Sequence, residues 1–174
     1  MTTLKGKTAK ESLTINTEIV LPNDTNHIGN LFGGRLMEWI DKVSAITAAR
    51  HSNRVVVTAS INNISFDNPI KQNSVVTLEA KVSRAFNSSM EIFVDVYVED
   101  RITGNKTLCN QAISSFVAID QNGSPLPVPP LIPETEEEKK RYDGALRRRQ
   151  LSLILAGRMK PEDATELKAL FDKD

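Results

Sequence analysis

The sequence predicts an α+β domain in which an antiparallel β-sheet wraps around one long helix, with a helical tail after it. Three observations predict it. Five segments read as strands, three of them by clear period-two alternation. One long stretch has helical periodicity instead, and it lies between the first and second strands. The last three strands are joined by short turn sequences, which suit antiparallel neighbours and are too short for parallel crossovers.

Taken in order, Leu13, Ile15, Thr17, Ile19 and Leu21 share one parity, and the segment reads as a half-buried strand with that apolar side inward. The helix follows, its start signalled by Asn30 ahead of Gly33 and Gly34. Leu36, Ile40, Val43 and Thr47 form its stripe, and Trp39, Ile46 and Ala48 widen it. So wide an apolar face predicts deep burial. The second strand spans 54–64, with the β-rich run Val55, Val56, Val57, Thr58. Val76, Leu78, Ala80 and Val82 mark the third, and Met90, Ile92, Val94, Val96 and Val98 the fourth. The fifth spans 106–119. Asn87-Ser88-Ser89 and Thr103-Gly104-Asn105 supply the turns. One helix followed by four sequential antiparallel strands predicts a sheet curled around that helix.

After Asp120 the composition changes. Five of the eight prolines fall in GSPLPVPPLIPE, which cannot be a central strand and reads as an extended, partly stiff connector. The expected division is therefore a folded domain over 10–122, a connector over 123–133 and a helical tail over 134–174. TEEEKKRYDGALRRRQLSLILAGRMK and PEDATELKALFDKD look helical, the second opening with a proline and acidic residues. The charge runs at 136–141 and 147–149 read as solvated helix faces.

With 174 residues, the chain has the length of one domain plus a tail. Lysine plus arginine and aspartate plus glutamate both number 22, so no global basic field favours nucleic acid. The single cysteine, Cys109, excludes an internal disulfide, and the start MTTLKGKTAKES lacks the apolar stretch of a secretory signal. The cytoplasm is the expected location. No apolar run approaches the roughly eighteen residues that cross a bilayer, so no membrane association is expected.

Chemistry concentrates in TNHIGNLFGGRLMEWID. Helical projection puts Asp41 at the border of the apolar arc, beside Met37, Ser44, Ala45 and Ala48. No cation lies three or four positions away, Glu38 is a like charge, and Lys42 pairs naturally with Glu38. Asp41 is then either a solvated border residue or a carboxylate meant for something that approaches. Gly33 and Gly34 leave backbone N–H groups uncovered at a positive helix end, fit to hold an oxyanion, or else simply form a tight turn. Asn26 and His27, with Asp24, Thr25 and Asn30 around them, shape a turn or carry chemistry, His27 as a general base or as a surface residue. There is no GxSxG elbow, Cys109 falls inside a strand, and His27 and His51 lack metal-ligand spacing. Carboxylate, amide and backbone donors remain.

Together, LPNDTNHIGNLFGGRLMEWID, VVVTASINNISFDNPIKQNSVVTLEAKV and NSSMEIFVDV resemble the hotdog-fold acyl-coenzyme A thioesterases of the cytosolic acyl-CoA hydrolase type, over residues 10–122. The joint pattern TN-x-x-G-x-x-x-GG-x-x-x-x-x-x-D plus F-x-x-P-I carries the resemblance. It implies that two protomers join sheets and form the active site between them, the dimer being the minimal unit of a hexamer, a trimer of dimers. It also implies that Asn26 and Asp41 are the catalytic pair, from different protomers. Asp41 would serve as general base or nucleophile, Asn26 would orient the water or the carbonyl, and the Gly33 and Gly34 amides would steady the oxyanion. Val57, Thr58, Ser88 and Ser89 would line the pantetheine and nucleotide path. The phosphates would meet Arg84, Arg54, Lys71 or the arginines at 147–149, and Ile28, Phe32, Met37 and Trp39 would build the acyl tunnel. The implied reaction is hydrolysis of acyl-CoA to a free acid and CoA without metal or bound cofactor, coenzyme A entering only as part of substrate and product. Two alternatives stand beside it: a hotdog hydratase or dehydratase, which usually needs a histidine with its carboxylate, and a non-catalytic acyl-CoA-binding sensor.

Overall fold

The chain opens with a two-residue strand β1, Lys7–Thr8, one helical turn α1, Ala9–Ser12, and strand β2, Thr14–Ile19. A loop leads into the 20-residue helix α2, Gly33–Ser52. Strands β3, Val55–Asn62, β4, Val75–Ala85, β5, Ser89–Glu99, and β6, Lys106–Ile119, follow, and then β7, Leu131–Ile132, pairs in parallel with β1. This computed structural model describes residues 4–62, 64–65 and 68–171, and the chain forms two compact units, one ending at Ile132 and one beginning at Pro133. Phe66, which opens the F-x-x-P-I motif, lies outside the described residues.

The main sheet runs β2-β4-β5-β6-β3 and is antiparallel throughout. Its inner face carries Val76, Leu78, Ala80 and Val82 from β4, Met90, Ile92, Val94 and Val96 from β5, and Ala112, Phe116 and Ala118 from β6, all buried. Leu36, Trp39, Ile40, Val43 and Ala48 of α2 complete that core. Each valine, leucine, isoleucine, methionine or phenylalanine among them contributes about 1.5–3 kcal/mol through its burial, the alanines less. This is the α+β layout expected, an antiparallel sheet around one long helix.

Four expectations need correction. The strands after α2 are not four neighbours in a row, since β3 pairs with β6 at the far edge and only β4, β5 and β6 form a meander. The apolar parity of β2 faces away from the helix. Thr14, Asn16 and Glu18 stand opposite Ala80, Leu78 and Val76 on the helix side, while Ile15 and Ile19 are 55% and 56% exposed. These polar side chains find partners there: Arg50 Nη1 from the end of the helix donates to Thr14 Oγ1 (3.1 Å) and to Leu13 O (2.8 Å), and Asn16 Nδ2 donates to Glu18 Oε1 (3.0 Å). The helix starts at the glycines as expected, but the residue that precedes it is Phe32 and not Asn30, whose backbone instead bridges to Lys71. Ile46, counted with the apolar face, is exposed.

At its other end α2 stops at Asn53, held in the left-handed region at φ 53° with its N–H on Ala49 O (2.8 Å). The proline-rich stretch is laid along the first unit. Leu126 N–H donates to Ala118 O (2.8 Å), Val128 N–H to Asn87 O (3.0 Å), and His51 Nε2 bonds Pro129 O (2.9 Å), with Val128 and Leu131 buried. In the second unit, α3, Glu136–Leu155, starts with a capping box in which Glu138 N–H donates to Thr135 Oγ1 (3.1 Å) and Thr135 N–H to Glu138 Oε2 (3.3 Å). The one-turn helix α4, Thr165–Lys168, is tied to α3 by Leu167 N–H on Gln150 Oε1 (2.9 Å). No helix among the described residues is long and apolar enough to cross a membrane.

Candidate active site

The loop before α2 is organised by Asp24, only 8% exposed. Its Oδ2 accepts Leu21 N–H (3.0 Å), its Oδ1 pairs with Arg35 Nε (2.9 Å), and its carbonyl accepts Phe32 N–H (2.8 Å). One residue thus joins both ends of the loop to the first turn of the helix. Inside it, Asn26 N–H donates to Asn30 O (2.8 Å), and Asn26 Oδ1 accepts Ile28 N–H (3.1 Å) and Asn30 N–H (3.2 Å), with Gly29 at φ +76° in the turn. Two backbone donors fix which end of the amide is the carbonyl. Asn26 Nδ2 has no partner among the described residues and is a free donor.

Gly33 and Gly34 are not in the left-handed region, so no tight turn explains them. They are the first two helical residues. Arg35 and Leu36 N–H return to Phe32 O (2.9 and 3.1 Å), while the Gly33 and Gly34 amides bond no described residue. A Cβ on Gly34 would fall 2.7 Å from the Phe32 ring. Two unpaired N–H groups at the positive end of a 20-residue helix are suited to a developing negative charge.

Two clefts meet at these donors, and Asn26 lines both. The larger, about 710 Å³, is walled by Thr25, His27, Phe32, Gly34, Arg35 and Glu38. The smaller, about 300 Å³, is walled by Leu31, Gly33, Leu36, Pro69, Ile70 and Asn110. Pro69 and Ile70 are the described end of the F-x-x-P-I motif.

Asp41 lies in neither cleft. It is half-buried, and its Oδ1 accepts the Thr58 hydroxyl at 2.8 Å. Thr58 stands opposite Phe116 and so faces the helix, just before the register of β3 slips between Thr58 and Ser60. Glu38 is paired with Arg35 and Lys42, and among the described residues Asp41 has no ion pair, as read from spacing. At 1.5 Å of rise per residue, roughly 11 Å of helix separates the glycine amides from Asp41. In one chain, the carboxylate and the amide donors lie well apart along the helix.

The remaining expected residues scatter. Val57 is 43% exposed on the outer sheet face, and both Val57 and Ser89 stand opposite Val117, which sets them in one row across β3, β6 and β5. Ser88 O accepts Ala118 N–H (2.9 Å), and Arg84 lies 5.6 Å from the Phe86 ring centroid. Arg54 and Lys71 are exposed, and the arginines at 147–149 belong to the second unit. Of the four tunnel candidates only Trp39 is core, for Ile28, Phe32 and Met37 are exposed. The sequence reading missed Asn110, a buried asparagine at an inward position of β6.

A single long helix wrapped by a five-stranded antiparallel sheet is the hotdog fold, and the comparisons agree. The thioesterase superfamily profile matches residues 28–104. Acyl-CoA thioester hydrolase YkhA of Bacillus subtilis is 45% identical, over 85% of this chain and 86% of that one. The cytosolic acyl coenzyme A thioester hydrolase of Rattus norvegicus is 38% identical over 83% of this chain, which spans only 39% of that protein's length. Among solved structures, an apo-hexameric acyl-CoA thioesterase superposes with a TM-score of 0.84 at 38% identity, covering 88% of this chain and 98% of that one. The Staphylococcus aureus acyl-CoA hydrolase in complex with butyryl coenzyme A, coenzyme A and coenzyme A disulfide gives 0.81 at 37% identity, covering 94% and 98%. The chain belongs to the hotdog-fold acyl-CoA thioesterases.

Proposed function

We propose that this acyl-CoA thioester hydrolase assembles each active site from two protomers, Asn26 and the Gly33 and Gly34 amides coming from one and Asp41 from the other. The observation that carries this is the roughly 11 Å between the amides and Asp41 along one helix, too far for both to act on one carbonyl in a single chain. Strand β3 supports the pairing. It is an edge strand bonded only to β6, with Val55 and Val57 exposed, and a second copy can extend the sheet there.

In this mechanism the thioester carbonyl oxygen accepts hydrogen bonds from the glycine amides and from Asn26 Nδ2. Asn26 acts here as a donor, because its acceptor is already occupied by two backbone N–H groups. Asp41 takes a proton from water as the new C–O bond forms, the C–S bond breaks, CoA leaves as a thiolate, and the proton passes from Asp41 to that sulfur. Direct attack by Asp41, followed by hydrolysis of the mixed anhydride, reaches the same products. Thr58, expected on the pantetheine path, holds the Asp41 carboxylate in place. Val57, Ser88, Ser89 and Arg84 remain assigned to the coenzyme path. Solved S. aureus variants replace one aspartate, one threonine and one asparagine by alanine, and their spacing in that chain is the spacing of Asp41, Thr58 and Asn26 here. A hexamer built from dimers follows the hexameric neighbour, and a cytoplasmic location follows the rat relative's name.

Thiol release from a panel of acyl-CoAs tests the assignment. Asp41→Asn and Asn26→Ala each lower turnover by about two powers of ten or more, with the oligomer intact. Near-normal rates in both variants would overturn the mechanism.

A further inference from the structure

Among the described residues, four buried side-chain atoms have no hydrogen-bond partner: Ser44 Oγ, His51 Nδ1, Ser114 Oγ and Asn110 Oδ1. Asn110 differs from the others in lining one of the two clefts at the helix start. It is 3% exposed, on the inner face of β6 opposite Val96. Its orientation is set from the other end of the amide, where Nδ2 donates to Cys109 Sγ (3.5 Å) while the Cys109 thiol donates to Asn68 O (3.4 Å). The carbonyl is left as a buried acceptor with nothing to accept. Buried acceptors are costly to leave unmet, and one that borders a ligand cleft is met by what enters it.

The contents of that cleft narrow the choice. Asn26 and Gly33, assigned above to the thioester carbonyl, line it together with Asn110, and Leu31, Leu36 and Ile70 give it apolar walls. At about 300 Å³ it is at the small end of ligand clefts, the size for a short acyl group. A plain hydrocarbon chain satisfies the walls and leaves Asn110 unpaired. A short chain carrying a hydroxyl satisfies both.

We propose that Asn110 is a specificity-determining residue whose buried carbonyl accepts a hydrogen bond from a hydroxyl on the acyl chain, so that short hydroxyacyl-CoAs are better substrates than unsubstituted acyl-CoAs of the same length. The inference rests on the hydrolase mechanism above, with the acyl group in the smaller cleft. A site that bonds a substrate hydroxyl discriminates against the analogue lacking it, because the protein group is then left unpaired.

The test compares kcat/KM for 2-, 3- and 4-hydroxybutyryl-CoA with that for butyryl-CoA, using the full chain. At least one hydroxylated isomer exceeds butyryl-CoA by about tenfold. In Asn110→Leu, which replaces the amide by an apolar group of similar volume, that ratio falls to about one or below. Asn110→Ala gives the same collapse and serves as the second variant should the leucine not fit. Because the readout is a ratio within each preparation, a partly folded variant still reports on specificity. Equal use of hydroxylated and plain chains by the wild type, or a ratio that survives both substitutions, overturns the proposal while thiol release leaves the hydrolase mechanism standing. Release of no thiol from any of the four substrates overturns that mechanism, and this inference falls with it.

Discussion

His51 is fully buried near the end of α2, and its charge state is coupled to folding. Desolvation holds its pKa below the usual 6.5, aided by nearby Lys7; the bond to Pro129 O and the Glu11 carboxylate oppose the shift without reversing it. The unfolded chain therefore takes up a proton that the native state resists, and stability rises with pH wherever the unfolded state holds more protons. The His51 contribution is complete above about pH 6.5 and is lost as pH falls toward the depressed native value. Urea unfolding between about pH 7.5 and pH 5.5 shows a drop in stability that is shallower in His51→Gln, which keeps a neutral donor for Pro129 but cannot charge. A wild-type slope equal to the variant's would contradict this assignment. At this scale Asp41 stands out in the sequence as an acidic residue at the border of a helix's apolar arc, since a polar residue out of place in a regular pattern is visible in one dimension, whereas Asn26 lies in a turn and is marked only by the family resemblance. The Thr58–Asp41 hydrogen bond joins residues 17 positions apart on different elements, and no periodicity reports such a pairing. Asn110 did leave a trace, a polar side chain at the inward parity shared with Ala112, Ser114 and Phe116, but only a cleft turns that trace into a role.

The loop into α2 is an element whose geometry depends on one side chain. Asp24→Ala removes the acceptor for Leu21 N–H and the partner of Arg35 Nε, leaving the turn that carries Asn26 tied to the helix by backbone bonds alone. Because Arg35 is about one-third exposed, its ion pair is screened, and the loss of stability is about 1–3 kcal/mol, seen as a lower Tm. Activity falls more than stability alone explains, since Asn26 Nδ2 and the glycine amides no longer share a fixed geometry. Asp24→Asn, which still accepts the Leu21 N–H, recovers part of the Tm; equal loss in both variants at unchanged kcat/KM would show that the loop does not depend on this residue. The elements themselves were legible, because strands and helices differ in period and α2 and the long strands carry those periods for many residues. Strand order was not. Alternation defines two faces of a strand without naming its neighbour, so β3 was expected beside β4 and pairs with β6 instead. It also cannot tell which face is the inner one: Ile15 and Ile19 look like core residues in sequence and lie on the outer face, because the register of β2 against β4 turns Thr14 and Glu18 toward the helix side.

For the whole molecule, the proposed sharing of each site between two protomers makes a quantitative demand on assembly. If Asp41 and Asn26 act together within one chain, an Asp41→Asn protomer and an Asn26→Ala protomer are each inactive in any mixture. If a two-fold dimer forms each site from both chains, a mixed dimer carries one site with Asn26 and Asp41 both intact and one site lacking both. Random exchange of equal amounts puts half of the dimers in that mixed state, so the mixture recovers about one quarter of the wild-type rate per protomer. The measurement is thiol release after the two purified variants are dissociated together and reassembled, set against each variant treated alone and against a mixture left undissociated. A higher-order assembly of the same dimers leaves the fraction unchanged, because the count of intact sites depends only on which two chains meet at each one. Replacing Val55 by lysine on the exposed edge of β3 brings like charges together where two such edges pair, and it blocks recovery if that edge is the seam. Recovery that persists with Val55→Lys in both chains moves the seam to another surface, and no recovery in the unmodified mixture returns Asp41 and Asn26 to one site within a single chain, against the roughly 11 Å of helix that divides them.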